Sequence, residues 1–441
     1  MVTLPVRLIA AIHRRLGNGS RAATMAHVMG LRTLALAANV CTGLLSAAVL
    51  GPDGRGEQAA LISAPQFLAA IATLGLHASL IYNIKADPDR RRRYFGCALL
   101  LAGLAGLTAT AVGWALLPEW LHRFGPSTVQ NARLLLLITP FTVLGVLLIA
   151  ILEVHARFDL SNRTIYLQGL STLAILALLW RTGEVTPTAA ALAYLLPSLP
   201  ALAYLARRAF ALVPPVATLE RPIRQRLLHY GLRFYGIDLL GTVSANLDQL
   251  VIVAMLPQAA VGLYVVAQSL SRVLSILQGA ITSVLFPSIA ARADAEVIES
   301  VARTMRIAVL FNVAAAVVLA AVGPLVLQVL YGSRFAGAVH PFRILLFETI
   351  VSNAARILYQ AFSGTGRPGV VSVIEGIGVS ASLAAMLVVV PHFGTVGAAC
   401  CVLFASSLRL LGAVACLPFI LRAKMPRLLP GPADLAAIVD R

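Results

Sequence analysis

Twelve apolar stretches, each long enough to cross a bilayer, follow one another along the 441-residue chain. A helix needs about 20 mostly apolar residues to span the hydrocarbon core. Charged residues make up only 12% of the sequence, whereas about 25% is usual in a soluble domain. The stretches cover residues 24–50, 58–84, 94–117, 132–153, 165–181, 188–206, 230–256, 260–289, 307–330, 342–362, 369–390 and 395–421. We therefore expect an all-α membrane protein with twelve transmembrane helices.

The spans divide into two halves of six. A basic, proline-containing segment, residues 207–229, separates the sixth span from the seventh and is predicted to be a cytoplasmic linker between lobes 22–206 and 230–421. Residues 1–21 lack the uninterrupted apolar core of a secretory signal and are typical of a basic amphipathic helix on the membrane surface. Residues 422–441 form a predicted cytoplasmic tail.

The distribution of basic residues predicts the orientation. With both termini in the cytoplasm, 24 of the 35 Lys and Arg residues fall on the cytoplasmic side and five on the opposite side. This bias agrees with the positive-inside rule. It also explains the net charge of +17 by topology and anionic lipid headgroups, so we expect no nucleic-acid partner.

The two halves resemble repeats of one another. The tripeptide "GLR" opens span one at residues 30–32 and span seven at residues 231–233, and Pro52 and Pro257 each follow a span. Polar residues also recur on one face of spans two and eight: Ser63, Gln66, Thr73 and His77 in the first half, and Gln268, Ser271, Arg272, Ser275, Gln278 and Thr282 in the second. Such stripes either line a cavity or join helices by hydrogen bonds.

Charged residues also occur inside the spans, where they persist only when they face a partner or water. Span seven has Arg233, Ser244 and Asp248 within about 60° of one another on a regular helix, and Asp238 lies on another side. In span one, Arg32, Asn39 and Ser46 are spaced by seven residues and therefore lie on one face. We expect span seven to border a water-filled interior.

The C-terminal half holds further embedded charges, namely Glu348, Arg356, Glu375 and Arg409. One interpretation is internal ion pairing of a glutamate with an arginine. Another is an anion-binding cavity, because Arg32, Arg233, Arg356 and Arg409 lie toward the cytoplasmic ends of their spans and guanidinium groups bind phosphate oxygens in pairs.

Catalytic and cofactor motifs are weak in this sequence. The string "GTGRPG" at residues 364–369 matches part of a dinucleotide fingerprint, but it joins two apolar helices and follows no strand. The five cysteines contain no CxxC pair, and the eight histidines show no metal-ligand spacing. We expect a protein that is not an enzyme, without a metal or cofactor.

Several segments together resemble a known family. They are "LGPDGRGEQAALISAPQFLAAIATLGL" (50–76), "ANLDQLVIVAMLPQAAVGLYVVAQSL" (245–270), the "LFPSIA" ending of span eight and the "GTGRP" turn. The chain is similar to the polysaccharide flippases of the multidrug/oligosaccharidyl-lipid/polysaccharide (MOP) superfamily. The resemblance implies a MATE-like fold of two pseudo-symmetric six-helix bundles around a central cavity, lined by spans one, two, seven and eight, and transport by alternating access.

The implied function is movement of an undecaprenyl-diphosphate-linked glycan from the cytoplasmic to the periplasmic leaflet of the bacterial inner membrane, in contact with the bilayer and with other polysaccharide-assembly proteins. The implied substrate contacts are Arg32, Asn39, Gln66, Arg233, Gln268, Arg272, Gln278 and Arg356. Asp238, Asp248 and Glu375 are the candidates for coupling to H⁺ or Na⁺.

Two other functions remain open. A multidrug cation antiporter of the same superfamily would share the architecture but would favour carboxylates over arginines in its cavity. A membrane polysaccharide polymerase or ligase would resemble chains with a large external loop, whereas the longest external segment here is short, around residues 118–131.

Overall fold

The computed structural model describes residues 21–275, 294–365 and 367–421, and these residues are helical apart from short connections. In the N-terminal half the α-helices are α1 (Arg21–Ala72), α2 (Leu76–Ala86), α3 (Arg91–Trp120), α4 (Pro126–Leu135), α5 (Thr139–Val154), α6 (Phe158–Thr182), α7 (Pro187–Leu195) and α8 (Ser198–Leu212). In the C-terminal half they are α9 (Arg221–Met255), α10 (Gln258–Ser271), α11 (Asp294–Val326), α12 (Val339–Gly364) and α13 (Pro368–Leu421). Short 3₁₀ or π turns extend several of them.

Eight helices in the described part of the chain are long and apolar enough to cross a membrane, or nine if a bent pair within α9 is included. Two of the eight, Ala38–Ala86 and Gly369–Phe419, contain 49 and 51 residues. At about 1.5 Å per residue each is more than twice as long as the hydrocarbon core is thick, roughly 30 Å. The chain is therefore a multi-pass membrane protein.

Glycines divide the two longest helices. Gly51 has φ 67° and ψ −177°, and Gly394 has φ 57° and ψ −135°. A positive φ is accessible to glycine without the steric cost that a Cβ brings. These kinks lie between predicted spans one and two and between spans eleven and twelve. The count of twelve spans stays a prediction, because span eight continues beyond the described residues.

The predicted linker, 207–229, is shorter in the structure. Helix α8 continues to Leu212 and helix α9 begins at Arg221, so only residues 213–220 lie outside helices. Ile223 and Leu227 on the first turns of α9 are buried in the same apolar cluster as Leu76, Leu80 and Tyr94 of the N-terminal half. The start of α9 therefore packs against the N-terminal half through these apolar side chains.

Two glycines bring the halves into close backbone contact. A Cβ on Gly56 of α1 would overlap the carbonyl oxygen of Gln258, and a Cβ on Gly262 of α10 would overlap that of Pro52. The two contacts are reciprocal, since each glycine lies four residues after the residue whose carbonyl faces the other glycine. We call this contact the glycine crossing. It joins the beginnings of spans two and eight, the elements that the sequence predicts to be equivalent.

Candidate functional site

A cavity of about 860 Å³ lies within the C-terminal half. Its walls come from the second part of α9, the end of α10, α12 and both parts of α13. The resemblance implies a cavity lined by spans one, two, seven and eight. Among the described residues, spans seven and eight do line this cavity, together with spans ten to twelve, whereas spans one and two supply no wall residue.

Five of the predicted site residues line the cavity: Asp248, Gln268, Arg272, Arg356 and Glu375. Asn39, Gln66 and Arg233 are exposed and lie elsewhere. The side chains of Arg32 and Asp238, and residue Gln278, lie outside the part of the chain that the structure describes.

Helix α9 separates Arg233 from Asp248, although a regular helix would place them on one face. The segments Arg221–Gly236 and Leu239–Met255 meet at an angle of 49°. A bend changes the direction in which each part of the helix presents its side chains, so angular spacing cannot be carried across it. Ser244, Asn246 and Asp248, all beyond the bend, line the cavity.

The polar stripe of span eight faces the cavity as far as the structure describes it. Gln268, Ser271, Arg272 and Ser275 all belong to the wall. The stripe also joins helices, because the Gln268 side-chain amide donates to Asp248 and the Ser275 hydroxyl lies 3.5 Å from the Asn353 Oδ1 acceptor. The two interpretations of the stripe, cavity wall and helix contact, therefore hold together.

The three carboxylates of the cavity wall have protein partners. Asp248 is buried and accepts hydrogen bonds from the Tyr264 hydroxyl, at 3.0 Å, and from Gln268. Glu348 accepts from Ser406 at 2.6 Å. Glu375 accepts from Ser244 at 2.7 Å and forms an ion pair with Arg409 at 3.2 Å.

Two arginines of the same wall are free of such partners. Arg272 is exposed to the cavity and donates to the backbone carbonyl of Ala245 at 3.3 Å. Arg356 is also exposed. Within the described residues, neither guanidinium is within ion-pair distance of a carboxylate, and Arg356 has no hydrogen-bond partner. Over the described residues, the cavity wall therefore presents two arginines without an ion pair beside three carboxylates that accept hydrogen bonds from other side chains.

Sequence inspection identified Glu348 and Arg356 of α12 and missed the other polar residues on the same face. Thr349 and Asn353 follow each other at helical spacing along α12 and line the cavity. Five further residues, from Glu348 to Ser363, form a second row of cavity-wall residues beside them. The second row consists of Glu348, Ser352, Arg356, Gln360 and Ser363. The spacing of three to four residues is the helical repeat, so the pattern was available in the sequence. The partner hydroxyls of Tyr264 and Ser406 required the tertiary structure.

The family model described as polysaccharide biosynthesis protein matches residues 47–340. No curated protein matches this chain. Solved structures, in contrast, match over most of their length.

Three of them illustrate the likeness. An inward-facing multidrug resistance MATE family transporter of the MOP superfamily has a TM-score of 0.68 and 16% identity, over 89% of this chain and 94% of that one. The lipid II flippase MurJ, in an inward closed conformation, has a TM-score of 0.76 and 12% identity, over 94% and 90%. A MOP superfamily transporter from Pyrococcus furiosus has a TM-score of 0.61 and 16% identity, over 90% and 93%.

At identities this low, the structural likeness shows the fold alone. The family is shown by the family model, which matches residues 47–340 of the 441. The chain therefore belongs to the polysaccharide biosynthesis protein family and has the helical fold of the MOP-superfamily transporters.

Proposed function

We propose that this protein is a flippase for undecaprenyl-diphosphate-linked oligosaccharides. In this proposal the glycan and diphosphate occupy the wet interior, the lipid tail stays in the bilayer, and the halves alternate in opening toward each side. The location is the bacterial inner membrane with both termini in the cytoplasm. Membership of the polysaccharide biosynthesis protein family supports a glycan as part of the substrate. The fold shared with the lipid II flippase supports transport of a lipid-linked substrate.

The charge arrangement of the cavity is the observation that carries this proposal. Asp248, Glu348 and Glu375 accept hydrogen bonds from neighbouring side chains, whereas Arg272 and Arg356 form no ion pair with a carboxylate in the part of the chain that the structure describes. Arg409 neutralises Glu375, whereas Asp248 and Glu348 accept hydrogen bonds from neutral groups and keep their charge. The exposed guanidinium groups of Arg272 and Arg356 can donate two parallel hydrogen bonds each to phosphate oxygens. These two guanidinium groups therefore offer an anionic substrate hydrogen-bond donors within the cavity.

The proposed roles of the predicted residues follow from their positions. Arg272 and Arg356 hold the diphosphate, and Gln268 contacts sugar hydroxyls from the same wall. Arg32, Asn39, Gln66, Arg233 and Gln278 remain proposed substrate contacts in other conformations. Asp238, Asp248 and Glu375 remain the proposed sites for coupling to H⁺ or Na⁺.

The cation antiporter is a second candidate, because three carboxylates do line the cavity. Reconstitution in proteoliposomes separates the two functions. We expect the purified protein to move a fluorescent undecaprenyl-diphosphate-linked oligosaccharide between leaflets and to leave the uptake of ethidium unchanged. Ethidium transport without lipid movement would reject the flippase.

Arg272 provides a genetic test of the same proposal. Two charge-assisted hydrogen bonds of about 1.5 to 3 kcal/mol each correspond to roughly two to four orders of magnitude in affinity. We expect Arg272→Ala to reach the membrane at normal levels and to fail to restore surface polysaccharide in a strain that lacks the native gene. Arg272→Lys should retain partial activity, because the charge remains without the paired geometry.

Arg123→Ala is the matched control, since Arg123 is an exposed arginine away from the cavity wall. It should behave as wild type. A structural role for Arg272 makes a different prediction: Arg272→Ala would disappear from the membrane, and the additional change Asp248→Asn would restore both protein and polysaccharide. That result would reject substrate contact by Arg272.

A further inference from the structure

Arg55 is a buried arginine beside the glycine crossing. It is 8% exposed, and its Nη1 donates to the Oε1 of Gln58 at 2.6 Å. Gln58 is fully buried, with 0% exposure. Both residues lie in the part of α1 that follows the Gly51 kink, at the end of the spans opposite to the predicted cytoplasmic side. This position is outside the cavity described above.

Neighbouring acids do not neutralise Arg55. Asp53 is exposed, and the Oε1 of Glu57 accepts a hydrogen bond from Thr128 at 2.7 Å. Throughout residues 21–275, 294–365 and 367–421, no carboxylate lies within ion-pair distance of Arg55. Among the described residues, this buried cation therefore has no carboxylate as an ion-pair partner.

The unused hydrogen-bonding groups at Arg55 and Gln58 are donors. The Nε of Arg55 and the Nε2 of Gln58 are buried and have no partner among the described atoms. The carbonyl oxygen of Gln58 already accepts one hydrogen bond from Arg55, so the buried groups of the pair that lack a partner among the described atoms are both N–H donors. Buried donors without partners are rare in folded proteins, because each loses its hydrogen bonds to water. These two donors, beside a buried positive charge, match the oxygens of an anion.

Backbone dipoles add to the positive potential. Helix α10 begins at Gln258, and the second part of α1 begins after Gly51, so two helix N-termini meet at the glycine crossing. Helix N-termini carry partial positive charge and favour anions. The Arg334 side chain is also close, since a Cβ on Gly51 would lie 3.8 Å from its Nη1.

We infer that Arg55 and Gln58 form a second oxyanion site, at the outer mouth, that receives phosphate oxygens when the halves separate at the glycine crossing. This inference rests on the proposed function, in which an anionic lipid leaves toward this side. The ligand is either the diphosphate of the departing lipid or a free phosphate. On binding, the N–H groups of Arg55 and Gln58 would donate hydrogen bonds to the phosphate oxygens, and these bonds would be charge-assisted.

The test measures pyrophosphate binding to the purified full-length protein by calorimetry, in a background that removes the cavity arginines, Arg272→Gln with Arg356→Gln. We expect this background to retain binding and Arg55→Gln to weaken the remaining affinity by about ten-fold or more, equivalent to about 1.4 kcal/mol. Gln58→Met, which removes two donors and leaves the guanidinium, should weaken it as well. Arg123→Gln, with the same loss of charge on an exposed arginine, should have no effect.

Undecaprenyl diphosphate in nanodiscs distinguishes the two sources. Arg55-dependent binding of the lipid identifies the departing substrate, and Arg55-dependent binding of pyrophosphate alone identifies a free phosphate. The inference is overturned if the background binds no pyrophosphate, or if neither Arg55→Gln nor Gln58→Met changes its affinity. The proposed function survives that outcome as long as the wild-type cavity still binds. Absence of binding to the wild type would count against the function itself.

Discussion

Glu375 and Arg409 form an ion pair across the cavity wall, with 3.2 Å between Oε2 and Nε. Their side chains are 20% and 11% exposed. Both belong to α13, but Glu375 precedes the Gly394 kink and Arg409 follows it, so the pair joins the two parts of the kinked helix. Arg409 also contacts Gly378, where a Cβ would overlap the guanidinium. Folding at the glycine thus brings opposite charges together.

We expect Arg409→Gln to lower thermal stability strongly, because removing one partner of a buried ion pair leaves an uncompensated charge and typically costs about 3 to 5 kcal/mol. The double variant Glu375→Gln/Arg409→Gln should be more stable than Arg409→Gln alone. Fluorescence-detected size exclusion after heating measures both. If the stability losses of Glu375→Gln and Arg409→Gln simply add in the double variant, the two residues do not stabilise one another.

The glycine crossing predicts a change in accessibility at the outer side. Gly262→Leu should hold the halves apart, because its side chain would occupy the position of the Pro52 carbonyl. In a background without native cysteines, a cysteine at Ser271 in the cavity wall should then react faster with an impermeant thiol reagent added outside. Gly103→Leu is the matched control, since a Cβ on Gly103 meets no atom within 4 Å. Equal rates in both variants would contradict closure at the crossing.

The cavity wall of span eight predicts selective labelling. Single cysteines at Arg272 and Ser275 should react with hydrophilic thiol reagents, because both positions line the cavity. A cysteine at Ala267, which has 0% exposure, should remain unreactive. The sequence pattern makes the same prediction for Ile281, which lies outside the described residues. If none of these positions reacts, the stripe contributes helix contacts alone.

The predicted orientation is tested by labelling from each side of the membrane. Cysteines at Arg91 and Arg224 should react only from the cytoplasm, and cysteines at Ser127 and Ser333 only from outside. All four positions are exposed, so a failure to react would not reflect burial. Reaction of the Arg224 position from outside would overturn the topology with both termini in the cytoplasm.

The polar interior of span eight was predictable from the sequence, and the cavity that it faces was not. Gln268, Arg272 and Ser275 share a face at helical spacing, and that local regularity survives in the structure. Arg233 and Asp248 also share a face on a regular helix, yet only Asp248 lines the cavity. Arg233 lies 15 residues earlier, about 22 Å along the axis, and a 49° bend in α9 comes between them. Angular positions calculated from the helical repeat predict a shared face within a short straight segment, and they do not predict it for residues far apart on a bent helix.

Ionic pairing shows a similar division. The sequence predicts that Glu348 or Glu375 pairs with Arg356 or Arg409, because embedded charges require partners. The structure selects Glu375 with Arg409 and gives Glu348 the hydroxyl of Ser406. Distances between residues far apart in sequence depend on how α12 and α13 pack, and no local pattern encodes them.

Composition and the long apolar stretches determined the membrane class and the helical fold, because the bilayer requires every spanning segment to satisfy its own backbone hydrogen bonds. The family was indicated by the resemblance of several segments, such as residues 50–76 and 245–270. Tertiary structure decided which charges are free. Asp248 and Glu375 acquire partners from other segments, whereas Arg272 and Arg356 are without a carboxylate partner among the residues that the structure describes. That difference depends on contacts of a few ångströms between separate helical segments, so no local pattern could encode it.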